Sequence, residues 1–364
     1  MERRLIAQAN MTRLRFWFST GCFSPAIRSG PLNFAPVRPQ PPRLRSCARW
    51  LARSDLTAVA LALLTVICRA EPFTTTPSSV THTPMDRPEI TQLLFHPVKA
   101  PRTTPPAGAI DINVPVAENA TIACRLYSHA PVSPTLIFFH GNGEIIPDYD
   151  EVGPMYVREN LNFLVTEYRG YGWSTGSPLT STLLPDSNVV FLALKEWLTG
   201  HGYTGALFVM GRSLGSASAI DVACTHQEMI TGLIIESGFA KTLALVKVLG
   251  IDLAGMGISE EQTFNNTGKI ARITKPTFIL HGQYDQLIPL WQAETLQAES
   301  GAKNKEMQIV PRAGHNTLIA EAGLLYFQAI RKFVEKAAGI APDWRERRRQ
   351  FKAQQAQQAA GEAP

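Results

Sequence analysis

The chain shows no sustained hydrophobic period before about residue 85 and a regular one from there on. Residues 109–116 and 121–127 alternate apolar and polar side chains on either side of Glu118-Asn119. That pattern predicts an antiparallel hairpin with one buried face. Residues 134–139, 161–166, 206–210, 232–235 and 277–280 are almost unbroken apolar runs. Strands buried on both faces read this way. Residues 308–310 give a last, short strand. Helices are expected over 149–159, 182–200 and 216–224, with a closing helix from 316 to about 337. The helix over 182–200 would turn Val189, Val190, Leu192, Ala193, Leu194 and Trp197 inward. The closing helix would be capped by Asn316 or Thr317. Strands alternating with helices predict an α/β fold: a mostly parallel central sheet, helices on both faces, and an antiparallel hairpin at its N-terminal end. Sites in such sheets gather at the carboxyl ends of the strands.

Composition changes this picture mainly at the two ends. The chain of 364 residues is 45% hydrophobic and 18% charged, enough apolar surface for a sizeable core. Its net charge of +5 is unevenly spread. Residues 1–84 hold eleven arginines, no lysine and three acidic residues, whereas the remaining 280 residues hold 24 basic and 27 acidic side chains. The globular part is therefore mildly acidic, which excludes nucleic acid as an expected partner. Residues 1–84 form an Arg/Pro-rich extension outside the expected fold, 85–340 the folded domain, and 341–364 a basic Gln/Ala-rich tail. The abrupt change at Met85 suggests that translation starts there and that the location is cytoplasmic. Export or tethering is the alternative, through the apolar stretch 56–68, which is too short to span a bilayer comfortably. Any membrane contact is expected only there. The five cysteines are widely spaced, with no CxxC pair, so neither a zinc site nor a disulfide framework is expected.

The candidate chemistry centres on Gly211-Arg212-Ser213-Leu214-Gly215. An apolar strand leads into it and a small-residue helix leads out. In that context Gly-x-Ser-x-Gly is a nucleophile elbow, with the serine exposed on a strained turn at a helix N-terminus. A serine hydroxyl needs a base within hydrogen-bond reach, and the base needs an acid to orient it. Asp285 falls just beyond the strand at 277–280, and His315 lies on the loop between the strand at 308–310 and the closing helix. Glu236, after the strand at 232–235, is the reserve acid. His281 precedes the turn and is expected to be structural. For the oxyanion, one donor should be the Leu214 amide. The other should come from His140-Gly141-Asn142-Gly143-Glu144, with Asn142 assigned and Gly143 as alternate. His140 is expected to orient this loop. No metal or organic cofactor is required.

Together with Glu167-Tyr168-Arg169-Gly170-Tyr171-Gly172 and Ser174-Thr175-Gly176-Ser177-Pro178, these segments resemble the α/β-hydrolase superfamily. Within it the chain is most similar to the abhydrolase-domain serine hydrolases near the prolyl-oligopeptidase-like group. The resemblance spans about residues 85–336. It implies an α/β-hydrolase fold and the chain order nucleophile, acid, base, here Ser213, Asp285, His315. It also implies a small cap, which would occupy 238–275, where the apolar run 243–251 either lines an acyl pocket or packs on the core. The departures are the first 84 residues and the continuation of the oxyanion loop by Glu144-Ile145-Ile146. The expected activity is serine esterase or thioesterase chemistry on a small-molecule acyl substrate, through an acyl-enzyme. A peptidase would use the same triad, but no propeller or other large gating domain is visible. A serine at the elbow disfavours an aspartate-nucleophile enzyme. A binding protein on the same fold is the rival from another class.

Overall fold

The computed structural model describes residues 82–341, together with 348 and 349. The expectations for the extension, including the stretch 56–68, and for most of the tail lie outside the described residues. Among the described residues, eight strands form one sheet: β1 (Ala109–Ala117), β2 (Ala120–Tyr127), β3 (Thr135–Phe139), β4 (Asn162–Thr166), β5 (Leu207–Arg212), β6 (Gly232–Glu236), β7 (Thr277–Gly282) and β8 (Lys305–Val310). Their order is β1-β2-β4-β3-β5-β6-β7-β8. The hairpin β1–β2 is antiparallel, β2 joins β4 antiparallel, and every pairing from β4 to β8 is parallel. Strands β3, β4, β6 and β7 are buried along their whole length, as their unbroken apolar runs require.

Two apolar clusters cover the two faces of the sheet. Alternation makes this necessary: within β5, Val209 joins one cluster while Phe208 and Met210 join the other. One cluster takes the inner faces of α3 (Thr180–Gly200) and α4 (Gly215–Thr225). The other takes α2 (Gly153–Arg158) and α9 (Leu324–Ala337). The first helix, α1 (Pro88–Leu94), buries Ile90 and Leu94. Among the described residues, no helix is long and apolar enough to cross a membrane.

Three local expectations need correction. The segment at 149–159 is a 3-10 turn, Ile146–Tyr149, followed by the short α2, because Pro147 and Pro154 each begin a new turn. In α3, Leu192 is 41% exposed, while Leu183, Val190, Phe191, Leu194 and Leu198 face the core. The closing helix is two helices, α8 (Leu318–Ala322) and α9, broken at Gly323 with φ 56° and ψ −134°. Thr317 stands at the N-cap position of α8, as expected, but its hydroxyl accepts the Gly314 amide and makes no cap bond to the helix, while Asn316 accepts from Arg212.

In the cap region, α5 (Thr242–Leu249) buries Leu245 and Val246, and Leu243 and Leu249 pack partly against the core. Most of the apolar run there packs on the core, while Val248 is 54% exposed. Helices α6 (Asn266–Ile270) and α7 (Leu290–Glu299) complete that side.

Candidate active site

Ser213 follows β5 directly and has φ 52°, the left-handed region that non-glycine residues rarely enter. The flanking glycines are a packing requirement. A β-carbon at Gly211 would strike the Gly215 carbonyl, and one at Gly215 would strike the carbonyls of Phe139 and His140. The elbow therefore sits against the end of β3, and its backbone is tied to β6 by Ser213 N–H donating to the Glu236 carbonyl at 3.0 Å. Helix α4 begins at Gly215 with Leu214 as its N-cap, so the positive end of the helix dipole lies at the serine. Ser213 is 8% exposed.

The histidine arrives from the far edge of the sheet. β7 and β8 pair in register from Thr277↔Lys305 to Gly282↔Val310, and the loops beyond them stay together. Tyr284 N–H donates to the Ala313 carbonyl at 2.8 Å. Gly282 permits this approach, since a β-carbon there would meet the Ala313 carbonyl at 2.6 Å. His315 Nδ1–H donates to Asp285 Oδ2 at 2.7 Å, which leaves Nε2 to accept the Ser213 hydroxyl at 2.9 Å. The Asp285 carboxylate is buried and is itself fixed: Oδ1 accepts the amides of Leu287 at 3.0 Å and Ile288 at 2.8 Å. The three residues predicted from sequence are thus brought into one hydrogen-bonded line.

The reserve acid lies elsewhere. Glu236 accepts Arg212 Nε at 3.2 Å and the Tyr326 hydroxyl at 2.6 Å. His281 is fully buried, with Nε2 donating to the Ile288 carbonyl at 2.7 Å. Burial holds its imidazole below the usual value of 6.5, so it is neutral in the fold.

The loop after β3 is a turn closed by Glu144 N–H to the Gly141 carbonyl at 3.3 Å, with Gly143 at φ 79°. The Gly141 amide is taken by Glu144 Oε2 at 2.7 Å. Among the described residues, the amides of Leu214, Asn142 and Gly143 have no hydrogen-bond partner. The Asn142 side chain anchors the turn: its oxygen accepts the Tyr171 hydroxyl at 2.6 Å and the His96 amide at 2.9 Å. His140 is buried beneath the turn, with Nδ1 donating to the Gly141 carbonyl at 2.7 Å and Nε2 on Glu167 at 2.9 Å. Glu167 also accepts the Ile146 amide at 2.8 Å, and the Tyr168 hydroxyl donates to the His140 carbonyl at 2.6 Å. Burial pushes the phenols of Tyr168, Tyr171 and Tyr326 well up, which keeps them protonated and able to donate.

The motif segments read from sequence contain Arg212, Glu167 and Tyr171 but give none of them an individual role, and no motif includes His96. Glu144 is the last residue of the oxyanion-loop segment and the start of its departure from the resemblance, with no role of its own assigned from sequence. Among the described residues, no cluster of three or more His, Cys, Asp or Glu is arranged to hold a metal ion.

Comparison with known proteins defines the class. A family model described as serine aminopeptidase, S33, matches residues 130–255, which include Asn142, Ser213 and Leu214. Protein bem46 of Schizosaccharomyces pombe is 31% identical over 216 residues, 57% of this chain and 70% of that protein. The alpha/beta hydrolase domain-containing protein 17B of Homo sapiens is 28% identical over 229 residues, 59% of this chain and 71% of that protein. Among solved structures, the Pyrococcus furiosus esterase Pf2001 superposes with a TM-score of 0.54 at 17% identity, over 66% of this chain and 98% of that chain. The chain belongs to the abhydrolase-domain family of α/β-hydrolases.

Proposed function

We propose that the protein is a serine hydrolase that cleaves a carboxylic ester or thioester through an acyl-enzyme. The observation that carries this reading is His315, hydrogen-bonded to Asp285 through one ring nitrogen and to Ser213 through the other. Ser213 attacks the carbonyl while His315 takes its proton. Asp285 holds the imidazole in the required tautomer and faces the positive charge that develops on it. The amides of Leu214 and Asn142 receive the oxyanion, with the start of α4 behind them. Collapse of the tetrahedral intermediate expels the alcohol or thiol, protonated by His315. Water activated by the same ring then releases the acid. One oxyanion donor is worth about 3–4 kcal/mol of transition-state stabilisation.

The substrate is proposed to be a small acyl compound, without nucleic acid as a partner and without a metal or organic cofactor in any step. A cytoplasmic location belongs to the same proposal, and the mass of the native N-terminus discriminates it from export or tethering through residues 56–68.

The test is a fluorophosphonate probe together with a panel of p-nitrophenyl esters of graded chain length, an acyl thioester and a peptide amide. Wild type should be labelled and should turn over esters, while Ser213→Ala should do neither and stay folded. A serine peptidase is the second reading, favoured by the description of the matching family model. Preference for the amide would select it. A wild-type protein that is folded but neither labelled nor active would leave a binding protein on this fold.

A further inference from the structure

Arg212 and Glu144 are among the polar groups at the site to which the proposed chemistry gives no part. Arg212 directly precedes the nucleophile, and its guanidinium reaches four partners on three other segments. Nη1 donates to Glu144 on the turn after β3, and Nε donates to Glu236 at the end of β6 at 3.2 Å. Nη2 donates to the His315 carbonyl at 3.1 Å and to Asn316 Oδ1 at 2.8 Å. Glu144 divides its own oxygens. Oε1 takes Arg212, while Oε2 takes the Gly141 amide at 2.7 Å and the Tyr149 hydroxyl. Both side chains are largely withdrawn from water, at 13% and 16% exposure.

The glycine at 141 follows from this bridge. A β-carbon there would stand 2.7 Å from Arg212 Nη1 and 3.0 Å from each Glu144 carboxylate oxygen. The guanidinium cannot swing away cheaply, because its other donors are held by Glu236, His315 and Asn316. The turn is thereby pressed onto a charged fork fixed to the serine's own backbone. With the Gly141 amide occupied by Glu144, the donors left to this turn are the amides of Asn142 and Gly143.

We infer that Arg212 and Glu144 are positioning residues that lock the oxyanion-binding turn and the His315 loop to the nucleophile as one unit. The inference rests on the serine-hydrolase reading above and extends it. Three parts of the reaction sit on three loops, and each must be held to a fraction of an ångström. A planar five-donor fork can grip all three at once, which a lysine ammonium cannot. The Glu144-Ile145-Ile146 sequence, a departure from the family resemblance, then has a role: its carboxylate supplies the turn's end of the bridge.

The experiment compares wild type with Glu144→Gln, Arg212→Lys and the double variant. Fluorophosphonate labelling rate, kcat and KM on one activated ester, and melting temperature are measured for each. A glutamine keeps the shape of Glu144 but has only one acceptor oxygen, so it loses either Arg212 or the Gly141 amide. Glu144→Gln should slow labelling and lower kcat by roughly tenfold to a hundredfold, with KM nearly unchanged. Arg212→Lys should lower both by a similar factor. The double variant should be little worse than either single one, because both break the same bridge. A residue needed only for stability would lower the melting temperature and leave labelling of the folded fraction unchanged. Folded single variants that label and turn over at the wild-type rate would overturn the inference and leave the serine-hydrolase reading standing. Losses that multiply in the double variant would overturn it too. A folded wild type that is neither labelled nor active would overturn both. Should Glu144→Gln not fold, Arg212→Lys decides alone, and unchanged kcat in that variant would be fatal to the inference.

Discussion

Two of the histidine–carboxylate pairs at the carboxyl edge of the sheet are built for opposite ends. His315 and Asp285 sit beyond β8 and β7; His140 and Glu167 sit beyond β3 and β4. The separations of the two pairs are nearly the same, 2.7 and 2.9 Å. What differs is the second ring nitrogen. His315 points its Nε2 at a hydroxyl, so that ring can accept a proton. His140 spends Nδ1 on the Gly141 carbonyl, and both members of its pair are completely buried. A ring whose two nitrogens both face acceptor oxygens has no hydroxyl from which to take a proton, but it fixes the turn above it. The pairing therefore says little about chemistry, and the partner on the far nitrogen says most of it.

The sharpest way to break this contrast is to neutralise each carboxylate in turn. Asp285→Asn should lower turnover of an activated ester by about 10⁴, because the amide favours the wrong imidazole tautomer. Glu236→Gln, at the end of the neighbouring strand, should be far milder. The reverse ranking, in variants shown to be folded by circular dichroism, would move the acid to β6. Glu167→Gln should act on stability first. Breaking one partner of a buried pair costs about 3–5 kcal/mol, read as a lower denaturant midpoint. A Glu167→Gln protein of normal stability without activity would put the second pair into the chemistry.

Smaller effects sharpen the comparison from the His315 side. Gly323, between α8 and α9, holds a backbone conformation that is essentially confined to glycine. Gly323→Ala should destabilise by about 1–3 kcal/mol, with catalytic constants of the folded protein little changed. Normal stability by chemical denaturation would mean that the helix break relaxes. The least effect concerns His281, kept neutral by burial beside Asp285. Below the usual value of 6.5 the unfolded chain takes up its proton before the folded protein does. Stability contributed by this residue is thus present above that value and lost as pH falls through it toward the depressed folded value. Between about pH 7.5 and about pH 5.5, melting of wild type should fall further than that of His281→Gln. Parallel curves for the two proteins would remove His281 from the account.

The elements and residues legible in the sequence were those whose signals are local. The elbow needs five consecutive residues between a strand and a helix, and Asp285 and His315 each follow a strand within a few positions. The buried strands announced themselves as apolar runs. The bridges between segments carry no such signal. Glu144 and Arg212 are 68 residues apart, and His140 and Glu167 are 27 apart. Only the strand order brings them together. In α3 the dense apolar stretch from Val189 to Leu194 conceals which side turns outward, so Leu192 reads as inward although it is exposed. Gly323 reads as an ordinary helix position, because an isolated glycine within a helical pattern is tolerated at a cost of about 1 kcal/mol.

One feature of the topology bears on how the protein would fail. Among the described residues, β8 is the last strand of the sheet and has a neighbour on one side only. Five of its six residues retain some exposure. Edge segments of this kind open at lower free energy than the strands between them. The serine and the aspartate ride on interior strands, but the imidazole rides on the chain that leaves this edge. Mild denaturant should therefore release His315 while the rest of the sheet still holds its backbone pairing. Hydrolysis would disappear before the far-ultraviolet signal of the helices does, and amide exchange would be fastest along Lys305–Val310 among the parallel strands. Reclosing of that one strand would restore the activity without refolding the whole chain.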